Sequence, residues 1–441
     1  MGLLKLSDYL SRLEGKRVLL RADINASVDD EGKPIPNARF AEVKEGIETL
    51  NRYGARTVVM LHQGRNGAAN LITHGPIADR LRQMGLDELI YRGNTLDLEK
   101  DALSAKALKW IAGMENGQTL MLDNMRLLRG EQKSRSPEEY AQDLFCRQLM
   151  GEEGGTRMDV FVLGDLSVAH RADRSVIGFP EIPNLAGRTL VRELGFVDDV
   201  LRHFENPQEY RILVLGGIKA GEYIKFLQAL AEKEMVDKVL TGGMLANLIL
   251  YVQMGEQLGK ATIEAMSRVR DKKEKSILDY ADAMSNLLAA HPKLFVTPGH
   301  VAYYVDGRRR EYPVGRVPRD VRENHPIQDI AERDAIEYAK RIQDSDFTLL
   351  KGLLGNYEFK NGSGHLFRVG SLRVLDALKG GRDMVAGGDS SAEVKGKVRK
   401  SLAGGAFLEA IVNRQGLPGV RAVETSYEQF SGQMDAYLGR N

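Results

Sequence analysis

The chain has 441 residues, with 62 Lys and Arg against 61 Asp and Glu, a formal net charge of +1. Such a length exceeds one ordinary core and points to two domains of roughly 200 residues each. The near-neutral balance excludes general nucleic-acid binding and confines any basic site to a local patch. The hydrophobic fraction of 43% and the charged fraction of 28% are ordinary for a globular protein. The sequence has no run of about 18 apolar residues and no signal-peptide pattern. Its single cysteine, Cys146, can close no intramolecular disulfide. A soluble, cytoplasmic protein without membrane partners is expected.

Along the chain, short β-branched runs alternate with amphipathic stretches. The first half reads as strands at 17–21, 57–62, 119–122 and 160–163, with helices at 41–53, 77–84 and 137–150. Cys146 falls in the last of these helices, as a packed residue rather than a nucleophile. Pro180, Pro183 and Gly187 then punctuate the chain before a helix at 188–204. The second half reads as strands at 211–215, 238–241, 293–297, 348–351 and 384–386, with helices at 223–234 and 335–343. Residues 259–290 suggest a solvated helix pair. Residues 306–311 suggest a hairpin turn whose Arg308, Arg309 and Arg310 are exposed. The alternation predicts an α/β protein of two Rossmann-like three-layer α/β/α domains with mainly parallel sheets, joined by an interdomain helix. The domains are placed at 1–187 and 205–410, with 188–204 between them and 411–441 packing back on the first.

Polar clusters follow the predicted strands of the first half: Arg21 to Asn25, Asn37 to Arg39, His62 to Arg65, Asn124 to Arg126, and His170 with Arg171. Residues in such places line the carboxyl edge of a parallel sheet, where ligands bind. Several cations on one edge make a pocket for a small, multiply charged anion such as a phosphorylated acid. In the second half, Gly216, Gly217 and Lys219 end a strand in a glycine turn of the kind that holds phosphate. Gly242 and Gly243, Gly352 and Gly355, Gly387 and Gly388, and Gly404 and Gly405 end other strands or lie nearby. Asp389 is the natural carboxylate for a phosphate-bound Mg2+. Ser390 and Ser391 either cap the next helix or donate to phosphate through it. Glu358 either starts a helix or accepts ribose hydroxyls. The pattern suggests a phosphotransferase with its two substrates on separate halves.

Together these motifs resemble the phosphoglycerate kinase family, in order and over almost the whole chain. The family's R-x-D-F-N stands as Arg21-Ala22-Asp23-Ile24-Asn25, followed by Arg39-Phe40. Its S-H-L-G-R corresponds to Leu61-His62-Gln63-Gly64-Arg65, and its E-N-x-R to Asp123-Asn124-Met125-Arg126. Ala169-His170-Arg171-Ala172 with Ser175 matches A-H-R-A-x-x-S. Ala186-Gly187-Arg188 with Arg192-Glu193-Leu194 is similar to the archaeal entry into the interdomain helix. Leu417-Pro418-Gly419-Val420 closes the series. The resemblance implies that Asp23, Asn25, Arg39, His62, Arg65, Arg126 and Arg171 bind 3-phosphoglycerate. It implies that Gly216, Gly217, Lys219, Gly242, Gly243, Lys351, Gly355, Glu358, Gly387, Gly388, Ser390 and Ser391 bind ATP or ADP, with Asp389 on the Mg2+. Phosphoryl transfer to the carboxylate of 3-phosphoglycerate is implied, with Arg39 and Lys219 neutralising the moving group after domain closure.

The departures from the pattern fall on the nucleotide side. Where the family has G-G-A-K-x-x-D-K, this chain has Tyr223 at the second Lys position. Where the family has N-G-P, it has Lys351-Gly352-Leu353. S-T-G-G-G-A is reduced to Ser401-Leu402-Ala403-Gly404-Gly405-Ala406, and P-x-D becomes Pro298-Gly299-His300. Three readings stay open. One is a working kinase in which Lys351 restores the charge lost at Tyr223. The second is a paralogue with weakened nucleotide binding that serves as an anionic-metabolite sensor or scaffold. The third is a kinase for another phosphorylated acid. A monomer is the expectation, with an oligomer left open.

Overall fold

The computed structural model describes residues 2–29, 31–64, 70–271, 274–360, 364–387 and 398–439. The chain forms two compact units, one of Met1–Phe196 with Gly405–Asn441 and the other of Val197–Gly404. The helix Arg188–Phe204 runs from the first unit into the second.

The first unit is built on a six-stranded sheet. Its order is Leu89–Ile90, Thr119–Met121, Arg56–Met60, Arg17–Arg21, Val160–Leu163, Asn184–Ala186, and every pairing is parallel. Leu19 stands level with Val58 on one side and Phe161 on the other. Val18, Leu19 and Leu20 are all buried, as expected of a strand covered on both faces. On one face, Phe40, Val43, Ile47 and Leu50 of the helix Ala38–Arg52 supply a stripe at helical spacing to the core. Asn37 starts that helix by accepting the Arg39 N–H at 3.0 Å, and this fixes Arg39 in its first turn. Elsewhere in the unit, the helix Pro418–Phe430 packs on the edge strand Asn184–Ala186. There Ser426 Oγ accepts the Asn184 N–H at 2.7 Å.

The second unit repeats the scheme with a parallel six-stranded sheet. Its order is Phe295–Val296, Lys238–Thr241, Arg211–Leu215, Phe347–Lys351, Met384–Ala386, Arg399–Ser401. A separate antiparallel sheet of His300–Val305, Arg308–Pro313 and Ile327–Ile330 lies in the same unit. No helix among the described residues is long and apolar enough to cross a membrane.

Three expectations need correction. The helix predicted at 137–150 is two, Pro137–Ala141 and Leu144–Leu149. Asp143, in extended backbone between them, turns its carboxylate to Arg135 and Arg174 at 2.8 and 3.0 Å. Residues 259–290 are not merely a solvated pair. The helices Lys260–Arg268 and Ala281–Ala290 pack on Gly243–Met254 and bury Met266, Met284 and Leu287. The turn at Asp306 and Gly307 is present, with φ of 49° and 74°, but the arginines after it are strand, not loop. Arg309 pairs with the fully buried Asp329 at 2.9 Å and donates to the Ile330 and Leu366 carbonyls. A run of three cations hides this because only the middle one faces inward.

Candidate active site

The carboxyl edge of the first sheet gathers polar groups from five segments. After Arg17–Arg21, Asp23 is 3% exposed and receives three neighbours. Arg39 Nη1 lies 2.5 Å and Ser167 Oγ–H 2.7 Å from its Oδ2, and His62 Nε2 is 3.6 Å from its Oδ1. That Oδ1 is buried without a hydrogen-bond partner, an acceptor still to be satisfied. Asn25 takes a positive φ of 30°, which Asn tolerates, and its Oδ1 accepts the Gly64 N–H at 3.1 Å. This ties the first strand's loop to the second's. Gln63 reinforces the tie by exchanging two hydrogen bonds with the Ala26 backbone, at 2.7 and 2.8 Å. Asn124 joins the third loop by accepting from the Gln63 and Arg126 N–H groups and donating to the Gln63 carbonyl.

Charge on this edge is concentrated and partly desolvated. Burial, and then the like charge of Arg171, pushes Arg126 down to about 10. Its Nε is buried without a partner. His62 is held well below its ordinary value by burial, and then by the charges of Arg21, Arg126, Arg171 and Arg39. Four arginines therefore converge on one neutral imidazole. Asp165, behind Asp23, is raised to about 6 by burial and the Asp23 charge. Such a cluster is costly alone and is relieved by an anion.

Of the predicted residues, Asp23, Asn25, Arg39, His62, Arg126 and Arg171 lie on this edge; Arg65 lies outside the described residues. Arg21 stands in the Arg21–Asn25 motif but is not among the residues expected to bind the anion. The signal was available: an Arg ending an apolar strand, here fully buried. Ser175 likewise stands in a motif without an expected role, and Glu131 and Ser167 carry no sequence signal, because nothing local marks which buried partners the arginines recruit.

In the second unit the glycines lie at strand ends as predicted, but their geometry is specific. The N–H groups of Gly216 and Gly217 donate to Lys351 and Leu353 carbonyls at 2.9 and 2.6 Å. Gly242 and Gly243 donate to Leu215 and Leu354, at 2.9 and 2.7 Å. A Cβ on Gly216 would lie 2.3 Å from Leu353 O, and one on Gly352 2.3 Å from Gly216 O. These glycines thus let three turns interlock, and the amides of Gly216, Gly217, Gly242 and Gly243 are already engaged. Cations stand around the interlock. Lys219 is exposed at the N-terminus of the helix Ala220–Glu232. Lys351 Nζ donates to Gly404 O at 2.8 Å and lies 3.6 Å from where a Cβ on Gly387 would be. Tyr223, at 3% exposure, donates its hydroxyl to Gly216 O at 3.0 Å. The second-Lys position is therefore filled by a side chain that braces the glycine turn. Glu358 is exposed, and Gly355 packs against the Asp329 carboxylate. Gly388, Asp389, Ser390 and Ser391 lie outside the described residues. No group of three or more His, Cys, Asp or Glu among the described residues is placed to hold a metal.

Known proteins are similar to the chain over nearly its whole length. The family model for phosphoglycerate kinase matches residues 7–414. A phosphoglycerate kinase of Methanothermobacter thermautotrophicus is 31% identical over 422 residues, covering 93% of this chain and 95% of that protein. One from Methanococcus maripaludis is 30% identical, covering 97% and 99%. The crystal structure of phosphoglycerate kinase from Pyrococcus horikoshii OT3 superposes with a TM-score of 0.81 at 26% identity, covering 97% of this chain and all of that one.

Proposed function

The chain belongs to the phosphoglycerate kinase family, and from that premise we propose that it moves a phosphoryl group between ATP and the carboxylate of 3-phosphoglycerate. The product is the acyl phosphate 1,3-bisphosphoglycerate, and the reaction belongs to glycolysis and gluconeogenesis in the cytoplasm. The observation that carries the acceptor side is the convergence of Arg21, Arg39, Arg126 and Arg171 on neutral His62, in a chain whose net charge is only +1. Such a local surplus fits a small molecule bearing both a phosphate and a carboxylate. The open Asp23 Oδ1 beside the cations is an acceptor for the hydroxyl between those two groups. Asn25 orders the loop, and Arg65 adds a further cation. Arg39 is placed to neutralise charge on the carboxylate as it takes the phosphoryl group.

The donor side rests on Lys219 and Lys351. With the glycine amides engaged, the anion subsite there is the N-terminus of Ala220–Glu232 and these two amines. The described residues fit a polyphosphate: Lys351 supplies at one strand end the charge that Tyr223 does not supply at another. Glu358 is the acceptor proposed for ribose hydroxyls, and Gly242, Gly243, Gly355, Gly387 and Gly388 are the glycines proposed for the nucleotide side. Ser390 and Ser391 are proposed phosphate donors, and Asp389 is the carboxylate proposed for Mg2+. Bound to the phosphates, Mg2+ would neutralise part of their charge.

The test is ATP-dependent activation of carbon-labelled 3-phosphoglycerate, with the acyl phosphate trapped by hydroxylamine as the labelled hydroxamate while the transferred phosphate leaves as inorganic phosphate. Trapped label that disappears in Arg39→Ala is the expected result. Tight calorimetric binding of 3-phosphoglycerate without any transfer would favour the sensor reading instead.

A further inference from the structure

Beneath the anion site, Glu131 occupies a buried position that no proposed step uses. It is 1% exposed. Its Oε1 accepts the Ser175 hydroxyl and its Oε2 accepts the Ser175 N–H at 3.1 Å. Ser175 Oγ, its proton committed to Glu131, accepts Arg21 Nε–H at 2.8 Å. Arg21 in turn places Nη1 on the Ala22 carbonyl and Nη2 on His62 Nδ1. A guanidinium has only donors, so His62 Nδ1 must accept. The imidazole proton then sits on Nε2, the nitrogen facing the Asp23 Oδ1 side of the pocket.

We propose that Glu131 is a positioning residue for the anion site: through Ser175 it holds Arg21 against His62 Nδ1, and so keeps His62 a neutral Nε2–H donor. The inference rests on reading this edge as the 3-phosphoglycerate site. Among the described residues, the charged neighbours enter the balance as follows. Glu131 faces Arg21, Asp173 and Arg174; His62 faces Arg21, Arg126, Arg171, Arg39 and Asp23. Arg174 Nη1 is bound to Asp101 and Asp143 at 2.9 and 3.0 Å, whereas Arg21 is the cation that shares Ser175 Oγ with Glu131. Burial and the Asp173 charge raise Glu131 to about 7, so the hold on Arg21 is complete only above neutrality.

A charge-only role and a positioning role predict opposite signs. Removing the Glu131 charge by itself makes the surroundings more positive and lowers the proton affinity of His62. Releasing Arg21 from Nδ1 raises it. The experiment is a pH titration of the full chain labelled with 15N-histidine, with the His62 signal identified by its loss in His62→Asn. Wild type, Glu131→Gln and Ser175→Ala are compared. An upward shift of about one pH unit is expected in Ser175→Ala and a smaller upward shift in Glu131→Gln, where the lost charge opposes it, with KM for 3-phosphoglycerate rising about tenfold while KM for ATP is unchanged. Ser175→Ala removes one hydroxyl and no charge, so it remains decisive if Glu131→Gln folds poorly. An unchanged or lowered His62 titration in Ser175→Ala overturns the proposal. An upward shift in a protein that does not turn over 3-phosphoglycerate upholds the positioning and overturns only the substrate assignment.

Discussion

Arg309→Met tests whether the antiparallel sheet is clamped by a buried ion pair. The substitution keeps the aliphatic stem and removes the guanidinium, which is bound to Asp329 Oδ2 at 2.9 Å, to Glu311, and to the Ile330 and Leu366 carbonyls. Asp329, with no exposed side-chain surface, would keep only the N–H groups of Ile330 and Gly370, at 2.9 and 3.1 Å. Stripping one partner from a buried pair costs about 3–5 kcal/mol. The lower end applies, because burial already raises the Asp329 carboxyl to about 6 and lets it take a proton. A carboxyl raised in the folded state favours its neutral form, so its cost is absent at low pH and appears as pH rises through the folded value. Loss of Arg309 raises that value further. A deficit of about 3 kcal/mol at pH 8 corresponds to about 6–12 °C in the melting of a unit of this size. The deficit should shrink by pH 5.5. Calorimetric melting of the whole chain at both pH values reads it. A shift under about 2 °C, or one equal at both pH values, would refute the clamp and restore the picture of an exposed arginine loop. Asp329 also packs on Gly355, so the variant should raise KM for ATP and leave that for 3-phosphoglycerate unchanged.

Three further outcomes are expected. Tyr223→Lys should lower turnover, since it removes the hydroxyl that braces Gly216 O at a site worth about 1 kcal/mol; a large gain would mean the tyrosine impairs the nucleotide site. Gly243→Ala forces a Cβ onto a residue at φ 55°, 2.7 Å from Gly217 N and O. It should raise KM for ATP, seen in steady-state kinetics with 3-phosphoglycerate saturating, at a cost of about 1–3 kcal/mol in urea unfolding. Cys146 is buried and its thiol is pushed up by desolvation, so a thiol reagent should react with it only after denaturant is added.

The parallel strands were legible because a doubly covered strand must be apolar throughout. The runs at 17–21, 160–163, 211–215, 238–241 and 384–386 match the observed strands residue for residue. Short edge strands were not. Leu89–Ile90 and Arg399–Ser401 pair with one strand each, Asn184–Ala186 with one strand and a single bridge to Lys5, and Arg399–Ser401 carries two exposed polar side chains. The antiparallel sheet escaped for another reason. Its defining contact, Arg309 to Asp329, spans 20 residues and leaves no periodic trace. The site was readable wherever the residue itself is a cation or glycine after a strand. What the sequence could not tell was which groups those residues would use up. The amides of Gly216 and Gly217 go to neighbouring carbonyls, and Arg21 reaches His62 through partners 110 and 154 positions away, at Glu131 and Ser175.

The most direct test of the account is steady-state turnover of the purified chain with Mg-ATP and 3-phosphoglycerate, coupled to reduction of the acyl phosphate, beside Lys219→Ala. Turnover in the wild type that collapses in the variant, with 3-phosphoglycerate binding retained by calorimetry, is the predicted result. Absence of turnover in the wild type, or equal turnover in Lys219→Ala, would contradict it.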